Sequence, residues 1–156
     1  MIRLGLIGDT QGRYRLEGLI AAVRPYFAAV DEIWHAGDWQ DDRVLEGLRG
    51  LGPPLTVVNG NAPDDPRYPE RVVRRLEGLS VAMVHRPPRP QEPWLRGCRI
   101  VIHGHTHRWR DEVWEGMRFI NVGTATAAGF GRERTVGLLE IEGEHAHLAR
   151  IELEPW

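Results

Sequence analysis

Three histidines fall within five residues at His103-Gly104-His105-Thr106-His107, directly after the β-branched run Ile100-Val101-Ile102. Such a run reads as a buried strand, which puts the histidines at its carboxyl end, where open α/β sheets gather their ligands. Imidazole is the commonest protein ligand for first-row transition metals. A glycine before His105 lets the backbone swing the rings of His105 and His107 toward one point. Four other apolar runs end in side chains of the same kind. Leu4-Gly5-Leu6-Ile7-Gly8 leads to Asp9, Ile33-Trp34-His35-Ala36-Gly37 to Asp38, Leu55-Thr56-Val57-Val58-Asn59-Gly60 to Asn61, and Val81-Ala82-Met83-Val84 to His85.

At 156 residues the chain has ordinary single-domain size, enough to bury roughly 70% of its unfolded surface. A single domain over 1–156 is expected, with neither an internal repeat nor a linker. Its 20 basic and 22 acidic residues leave a formal charge of −2, and every basic residue is arginine. Read along the whole chain, this balance gives no basic stripe, so nucleic acid is not expected as a partner. The lone cysteine, Cys98, excludes an internal disulfide and fits a reducing compartment. No charged-then-apolar leader precedes Ile2 and no apolar run reaches membrane-spanning length, so a cytoplasmic protein without a membrane partner is expected.

Strands are expected at Ile2 to Ile7, Glu32 to Ala36 and Leu55 to Asn59. Between them lie helices near Leu16 to Val23, ended or kinked by Pro25, and Asp42 to Leu51, with Asp41 and Asp42 suited to its N-terminus. This is the βαβ rhythm of a parallel sheet. After the prolines at 63, 66 and 69 the pattern becomes antiparallel. Arg71 to Leu76 and Leu79 to Val84 form a hairpin, as do Trp109 to Trp114 with Met117 to Asn121, and Val136 to Ile141 with Ala146 to Leu153. The proline run between Arg86 and Pro93 excludes regular structure, Trp94 to Gly97 is helical at most, and Gly123 to Gly131 reads as a loop.

Asp9, Asp38, Asn61, His85, His105 and His107 thus stand at strand ends with mixed oxygen and nitrogen donors. That set suits manganese, iron, zinc or nickel rather than magnesium or calcium. One carboxylate can bridge two ions about 3.5–4 Å apart, polarise a phosphoryl oxygen and generate a hydroxide nucleophile. The reaction implied is hydrolysis of a phosphate ester by in-line attack.

The ordered series G-D-x-Q, H-A-G-D, G-N, V-H and G-H-T-H closely resembles the calcineurin-like metallophosphoesterase superfamily. The likeness is best to its small bacterial and archaeal phosphodiesterase branch, to which the eukaryotic retromer scaffold subunit is also similar. It runs from Ile2 through Asn121-Val122-Gly123-Thr124, which resembles that branch's I-N-P-G-S segment. The resemblance implies an α/β fold, a four-layer sandwich of two mixed β-sheets flanked by helices. It also implies a dinuclear centre, manganese first among the candidate ions, with Asp9, Asp38 and His107 at one metal and Asp38, Asn61, His85 and His105 at the other. Asp38, Asn61 and His105 would carry catalysis on a small phosphate-ester substrate. Two positions depart from the pattern. Gln11 stands where D-x-H has its histidine, an amide oxygen being a weaker donor, and Ala62 follows Asn61 where many members have a proton-donating histidine. A general acid contributes about 10²–10⁴ in rate, so good leaving groups should be favoured. The rival function is a catalytically weak or inactive scaffold that keeps the fold.

Arg13, Arg86 and Arg108 adjoin motif residues and are candidates for holding substrate phosphate, which a guanidinium binds bidentately. His35 and His103 read as structural, hydrogen-bonded in the interior, and His145 and His147 as surface residues. Trp39, Trp94 and Trp109 are read as packing residues. Self-association is left open.

Overall fold

In the computed structural model, residues 1–126, 133–154 and 156 are described, and they form two five-stranded mixed sheets. The first sheet has the order β10-β9-β1-β2-β3, built from β1 (Ile2–Ile7), β2 (Glu32–His35), β3 (Leu55–Val57), β9 (Thr135–Glu142) and β10 (His145–Glu152). β1, β2 and β3 run parallel, and β9 and β10 close the sheet antiparallel. The second sheet has the order β4-β5-β6-β8-β7: β4 (Arg71–Leu76), β5 (Leu79–Val84), β6 (Cys98–Ile102), β7 (Trp109–Trp114) and β8 (Met117–Val122). Here β5, β6 and β8 are parallel, with antiparallel β4 and β7 at the edges.

Period-two alternation decides which residues fill the space between the sheets. Leu4 and Leu6 of β1, Trp34 of β2, Val81 and Met83 of β5, Ile100 and Ile102 of β6, and Leu139 and Ile141 of β9 form this central core. The residues between them face outward. From the first sheet Ile7, Ile33, Val57 and Val136 meet two helices, α1 (Leu16–Phe27) and α2 (Asp42–Arg49), through Leu19, Val23, Phe27, Leu45 and Leu48. Gly5 has to be small here, because a Cβ would lie 2.7 Å from the Phe27 ring.

α1 does not stop before Pro25 as its sequence suggests; it continues through the proline to Phe27. Fully buried Phe27 supplies the packing that offsets the lost hydrogen bond. α2 opens as expected, with Asp41 as N-cap accepting from the Arg43 backbone N–H at 2.9 Å. It ends at Arg49 rather than Leu51, and β3 ends at Val57 rather than Asn59. The three hairpins form with their expected partners. Of the expected loop from 123 to 131, residues 127–131 lie outside the described residues.

The outer face of the second sheet carries the fourth layer in reduced form. Ala82, Val101, Met117 and Phe119 are covered by one 3₁₀ turn, Pro93–Leu95, with the chain around it. At the amino ends of the parallel strands the two sheets are tied together by main chain, Gly78 N–H donating to Gly143 C=O at 2.7 Å. Glu32 adds a side-chain tie there, accepting from Trp34 Nε1 (2.7 Å), Thr56 Oγ1 (2.9 Å) and Arg74 Nη2 of the second sheet (2.5 Å). Among the described residues no helix is long and apolar enough to cross a membrane.

Candidate metal centre

The loops that follow β1, β2, β3, β5 and β6 all emerge at the carboxyl end of the sandwich, and each brings one or two of the motif side chains. Asp9, Asp38, His105 and His107 have φ of 50°, 60°, 73° and 62°, in the left-handed region. Asp and His enter that region more readily than most residues, at about 1–3 kcal/mol each. The conformation turns each side chain back over the strand ends.

Asp9, Asp38 and His107 each offer a ligand atom within 4.8 Å of the other two. His107 Nε2 is 3.5 Å from Asp9 Oδ1, and the His105 backbone N–H reaches the Asp9 carboxylate at 3.1 Å. Asp38 Oδ1 accepts the backbone N–H groups of Asn61 and Ala62 at 2.8 and 2.9 Å, while its Oδ2 lies 3.2 Å from His85 Nε2. The His85 and His105 rings meet edge to face with centroids 5.3 Å apart. Asn61 is exposed and lines a cleft of about 390 Å³ together with His85, Arg86, Asp64 and Glu70. Asp9, Asp38 and His85 are buried, His107 is half-buried and His105 is exposed.

One atom tests directly whether this arrangement fits a cation. His85 Nδ1 donates to the Ala36 carbonyl at 2.8 Å, since a carbonyl can only accept. In the neutral ring Nε2 therefore carries a lone pair. That atom is buried with no hydrogen bond of acceptable angle, although it faces Asp38 Oδ2. Two acceptors held face to face require a positive charge between or beside them, a proton or a metal. The surrounding glycines leave that space open. A Cβ would lie 2.7 Å from His85 Nδ1 at Gly37 and 2.8 Å from Asp9 Oδ2 at Gly104, and at Gly60 it would collide with Asp38 Oδ1. The donor chemistry and the room both fit a divalent ion.

Proton affinities follow the same geometry. Burial pulls the His85 imidazole down, but the nearby Asp38 carboxylate, the Ala36 carbonyl and the Asp9 charge outweigh it and hold its pKa above the ordinary histidine value. Burial alone would raise Asp38, yet His85 and the Asn61 and Ala62 amides bring it below the usual carboxylate range. Hydrogen bonding to Asp9 raises His107, whereas burial, with His85 and Arg86 nearby, lowers His105. His35 and His103 sit apart from this group as neutral structural rings. Gly37 N–H donates to His35 Nδ1, so His35 Nε2 donates to Thr10 Oγ1, and burial pushes the ring down to about 3. His103, down at about 4 mainly through burial, donates from Nδ1 to Gly104 C=O and accepts at Nε2 from Arg110.

Several further residues shape the loops, among them Gln40, which the sequence did not single out, and Asn121 and Thr124, marked there only by the family segment they resemble. The Gly104 carbonyl accepts from His103 Nδ1 (3.0 Å), the Thr106 backbone N–H (2.9 Å) and Asn121 Nδ2 (3.1 Å). Buried Asn121 also donates to Thr106 Oγ1 at 3.0 Å and accepts the Gly123 N–H at 2.9 Å. It pins the turn that carries both histidines. Thr124 Oγ1 donates to Asp9 C=O at 2.8 Å, and the Gln40 amide clasps the backbone of Gly12 at 2.8 and 3.1 Å. The signals for Asn121 and Thr124 were the I-N-P-G-S resemblance and a polar residue closing the strand Met117-Arg118-Phe119-Ile120.

Of the remaining candidates, Arg86 lines the cleft beside Asn61, and Arg108 lines a second cleft of about 660 Å³ with His105, Thr106, Pro87 and Arg110. Arg13 is exposed and lines neither. The Gln11 amide oxygen is buried without a hydrogen-bond partner, the state of a donor atom available to a cation.

The profile of the calcineurin-like phosphoesterase superfamily domain matches residues 2–144. A protein of Methanothermobacter thermautotrophicus described as "Probable metallophosphoesterase" is 31% identical over 153 residues, covering 90% of this chain and 87% of that protein. Among solved structures, an archaeal phosphodiesterase superposes with a TM-score of 0.76 at 18% identity, covering 96% of this chain and all of the other. Vps29 from Entamoeba histolytica, complexed with Zn²⁺, superposes with a TM-score of 0.72 at 18% identity, covering 97% and 99%. At such identities the structural likenesses establish a shared α/β sandwich. The ordered strand-end motifs, the profile match across nearly the whole chain and the 31% identical relative together place the chain in the calcineurin-like phosphoesterase superfamily.

Proposed function

We propose that this chain is a metal-dependent phosphodiesterase whose centre takes two divalent ions, Asp9, Asp38 and His107 serving one and Asp38, Asn61, His85 and His105 the other. The observation that carries this reading is Asp38. Its Oδ1 is anchored by two backbone N–H groups while its Oδ2 faces the bare Nε2 of His85. The same carboxylate belongs to the cluster with Asp9 and His107, so Asp38 would serve both ions. The mixed donors suit manganese first, with iron, zinc or nickel as alternatives.

Bound ions of this kind supply Lewis acidity toward phosphoryl oxygens and lower the pKa of the attacking water. The chain's own groups do the rest. Backbone N–H groups and the left-handed turns hold the carboxylates and imidazoles in place, so little reorganisation accompanies reaction. Arg86, which lines one cleft with His85, and Arg108, which lines another with His105, would orient the ester. Water attacks phosphorus, giving up a proton to bulk solvent, the new P–O bond replaces the one to the departing alcohol, and the alkoxide leaves to be protonated by solvent. With Ala62 at the position of the proton donor, alcohols that are stable as anions leave fastest.

The test is hydrolysis of bis(p-nitrophenyl) phosphate by metal-stripped protein with and without added manganese, alongside metal analysis of the purified chain. Manganese-dependent release of p-nitrophenolate is expected, and no turnover with any divalent ion removes the enzyme reading. The amide at Gln11 favours the scaffold alternative. Stoichiometric bound metal without hydrolysis of any phosphate ester would decide for it.

A further inference from the structure

The second sheet's outer side holds a concentration of charge that the balance over the whole chain conceals. Residues 71–99 contain seven arginines and two acidic residues, against thirteen and twenty elsewhere. Both acids are engaged: Glu77 pairs with the terminal amine, and Glu92 accepts from the Arg89 N–H and Trp94 Nε1. Arg74 turns inward to Glu32. The other six, Arg71, Arg75, Arg86, Arg89, Arg96 and Arg99, are exposed and make no ion pair among the described residues.

Register places them along a line. In β4, Val72 and Leu76 face the central core, so Arg71, Val73 and Arg75 face outward. Arg75 lies opposite Ser80, which lies opposite Cys98, so Arg96 and Arg99 share that lower level. Arg71 lies opposite Val84, one turn of chain below Arg86 at the rim of the Asn61–His85 cleft. From Arg75 to Arg71 the strand rises about 13 Å. The Arg71 guanidinium rests 4.6 Å above the Trp94 ring, which fixes its position. Val73, 48% exposed between the two arginines, adds an apolar step.

We propose that this arginine stripe docks a single strand of nucleic acid and leads it to the metal centre, which makes a phosphodiester polymer the substrate class. For its chemistry the inference rests on the phosphodiesterase reading; the docking does not. A cationic stripe alone would take any polyanion. This one ends at Arg86, beside the residues that would hold the scissile ester, so a polymer of phosphodiesters satisfies stripe and centre together.

Fluorescence anisotropy of a labelled oligothymidylate of about 15 nucleotides, with the full chain in EDTA, tests the stripe apart from catalysis. Binding should weaken with salt at a slope of about −0.7 per phosphate contacted. Arg71→Glu with Arg75→Glu should lower affinity about 10-fold or more and flatten the slope by about one to two units, with bis(p-nitrophenyl) phosphate turnover unchanged. Should that variant lose its circular-dichroism melt, Arg75→Gln with Arg96→Gln gives the same comparison with less repulsion. No binding at low salt, an unchanged affinity and slope in the folded variant, or tighter binding of polyglutamate of equal charge overturns the proposal. Binding through the stripe without hydrolysis of the small diester under any metal would overturn the phosphodiesterase reading and leave the interface standing.

Discussion

The two ends of the sandwich use the same unusual backbone conformation for different reasons. At the amino end of the parallel strands Glu77 and Glu115 have φ of 53° and 50°. Both sit in two-residue hairpin turns, where such angles match the strand twist. At the carboxyl end no hairpin asks for it, yet Asp9, Asp38, His105 and His107 are all left-handed. There the conformation serves the convergence of side chains and works against the loops' own stability. One end is built for cohesion, the other for chemistry.

That contrast is breakable, and the largest effect should come from Asp38→Ala. Losing the shared carboxylate is expected to lower manganese-dependent turnover of bis(p-nitrophenyl) phosphate by at least about 10²–10³-fold. Urea melts should also show a loss of about 1–3 kcal/mol, because the Asn61 and Ala62 N–H groups lose their acceptor even though one of the two facing acceptors is gone. A variant with full activity and metal content would dissolve the distinction. Next comes Asn121→Leu, which frees the Gly104 turn. Outer partners of metal ligands matter by about 10–100-fold in metal affinity or activity, so a weakened manganese titration is expected, with partial rescue at high metal.

At the opposite end, Glu32→Ala removes the acceptor shared by Trp34, Thr56 and Arg74. It should destabilise the fold by about 1–3 kcal/mol in urea melts while leaving turnover per folded molecule unchanged. A change in KM or kcat would show that the two ends are coupled. The last test is of pH, and it reads stability alone. His35 is held neutral when folded, at about 3 against 6.5 for the free side chain. Between those values the unfolded chain binds the extra proton, so stability is complete above 6.5 and falls as pH drops through the window, by about 1.4 kcal/mol per pH unit. Between pH 7 and 4 the urea-measured stability of His35→Gln should depend on pH less steeply than that of the parent chain, by about 1.4 kcal/mol per unit.

Much of this division was legible in the residues. The parallel strands announce themselves as apolar runs, and of the side chains that follow them Asp9, Asp38 and His107 come within 4.8 Å of one another while His85 faces Asp38. The order of parallel and antiparallel segments followed from where the glycine turns and prolines fall. What escaped depended on tertiary partners. Pro25 breaks a helix on local grounds, and only the burial of Phe27 against Gly5 carries the helix past it. Asn121 looks like the end of a hairpin until its amide is seen bridging the Gly104 carbonyl and Thr106. The arginines of 71–99 are diluted in the total charge, and their alignment exists only once β4, β5 and β6 are in register. Gln11 was conspicuous as a departure from the family pattern, but that its oxygen lies buried and unpartnered is a property of the folded loop.

The main-chain bond between Gly78 and Gly143 has a mechanical corollary. It joins the two leaves at their lower margin, much as a spine binds a book, and depends on no side chain at either position. The opposite margin is fastened by side chains instead, His85 Nδ1 donating to the Ala36 carbonyl, the His105 N–H to the Asp9 carboxylate and Thr124 Oγ1 to the Asp9 carbonyl, so substitutions there would loosen the pages while the spine holds. Substitutions accumulating on the outer faces would leave the binding intact, so an ancestor could refashion its covers repeatedly without losing its place.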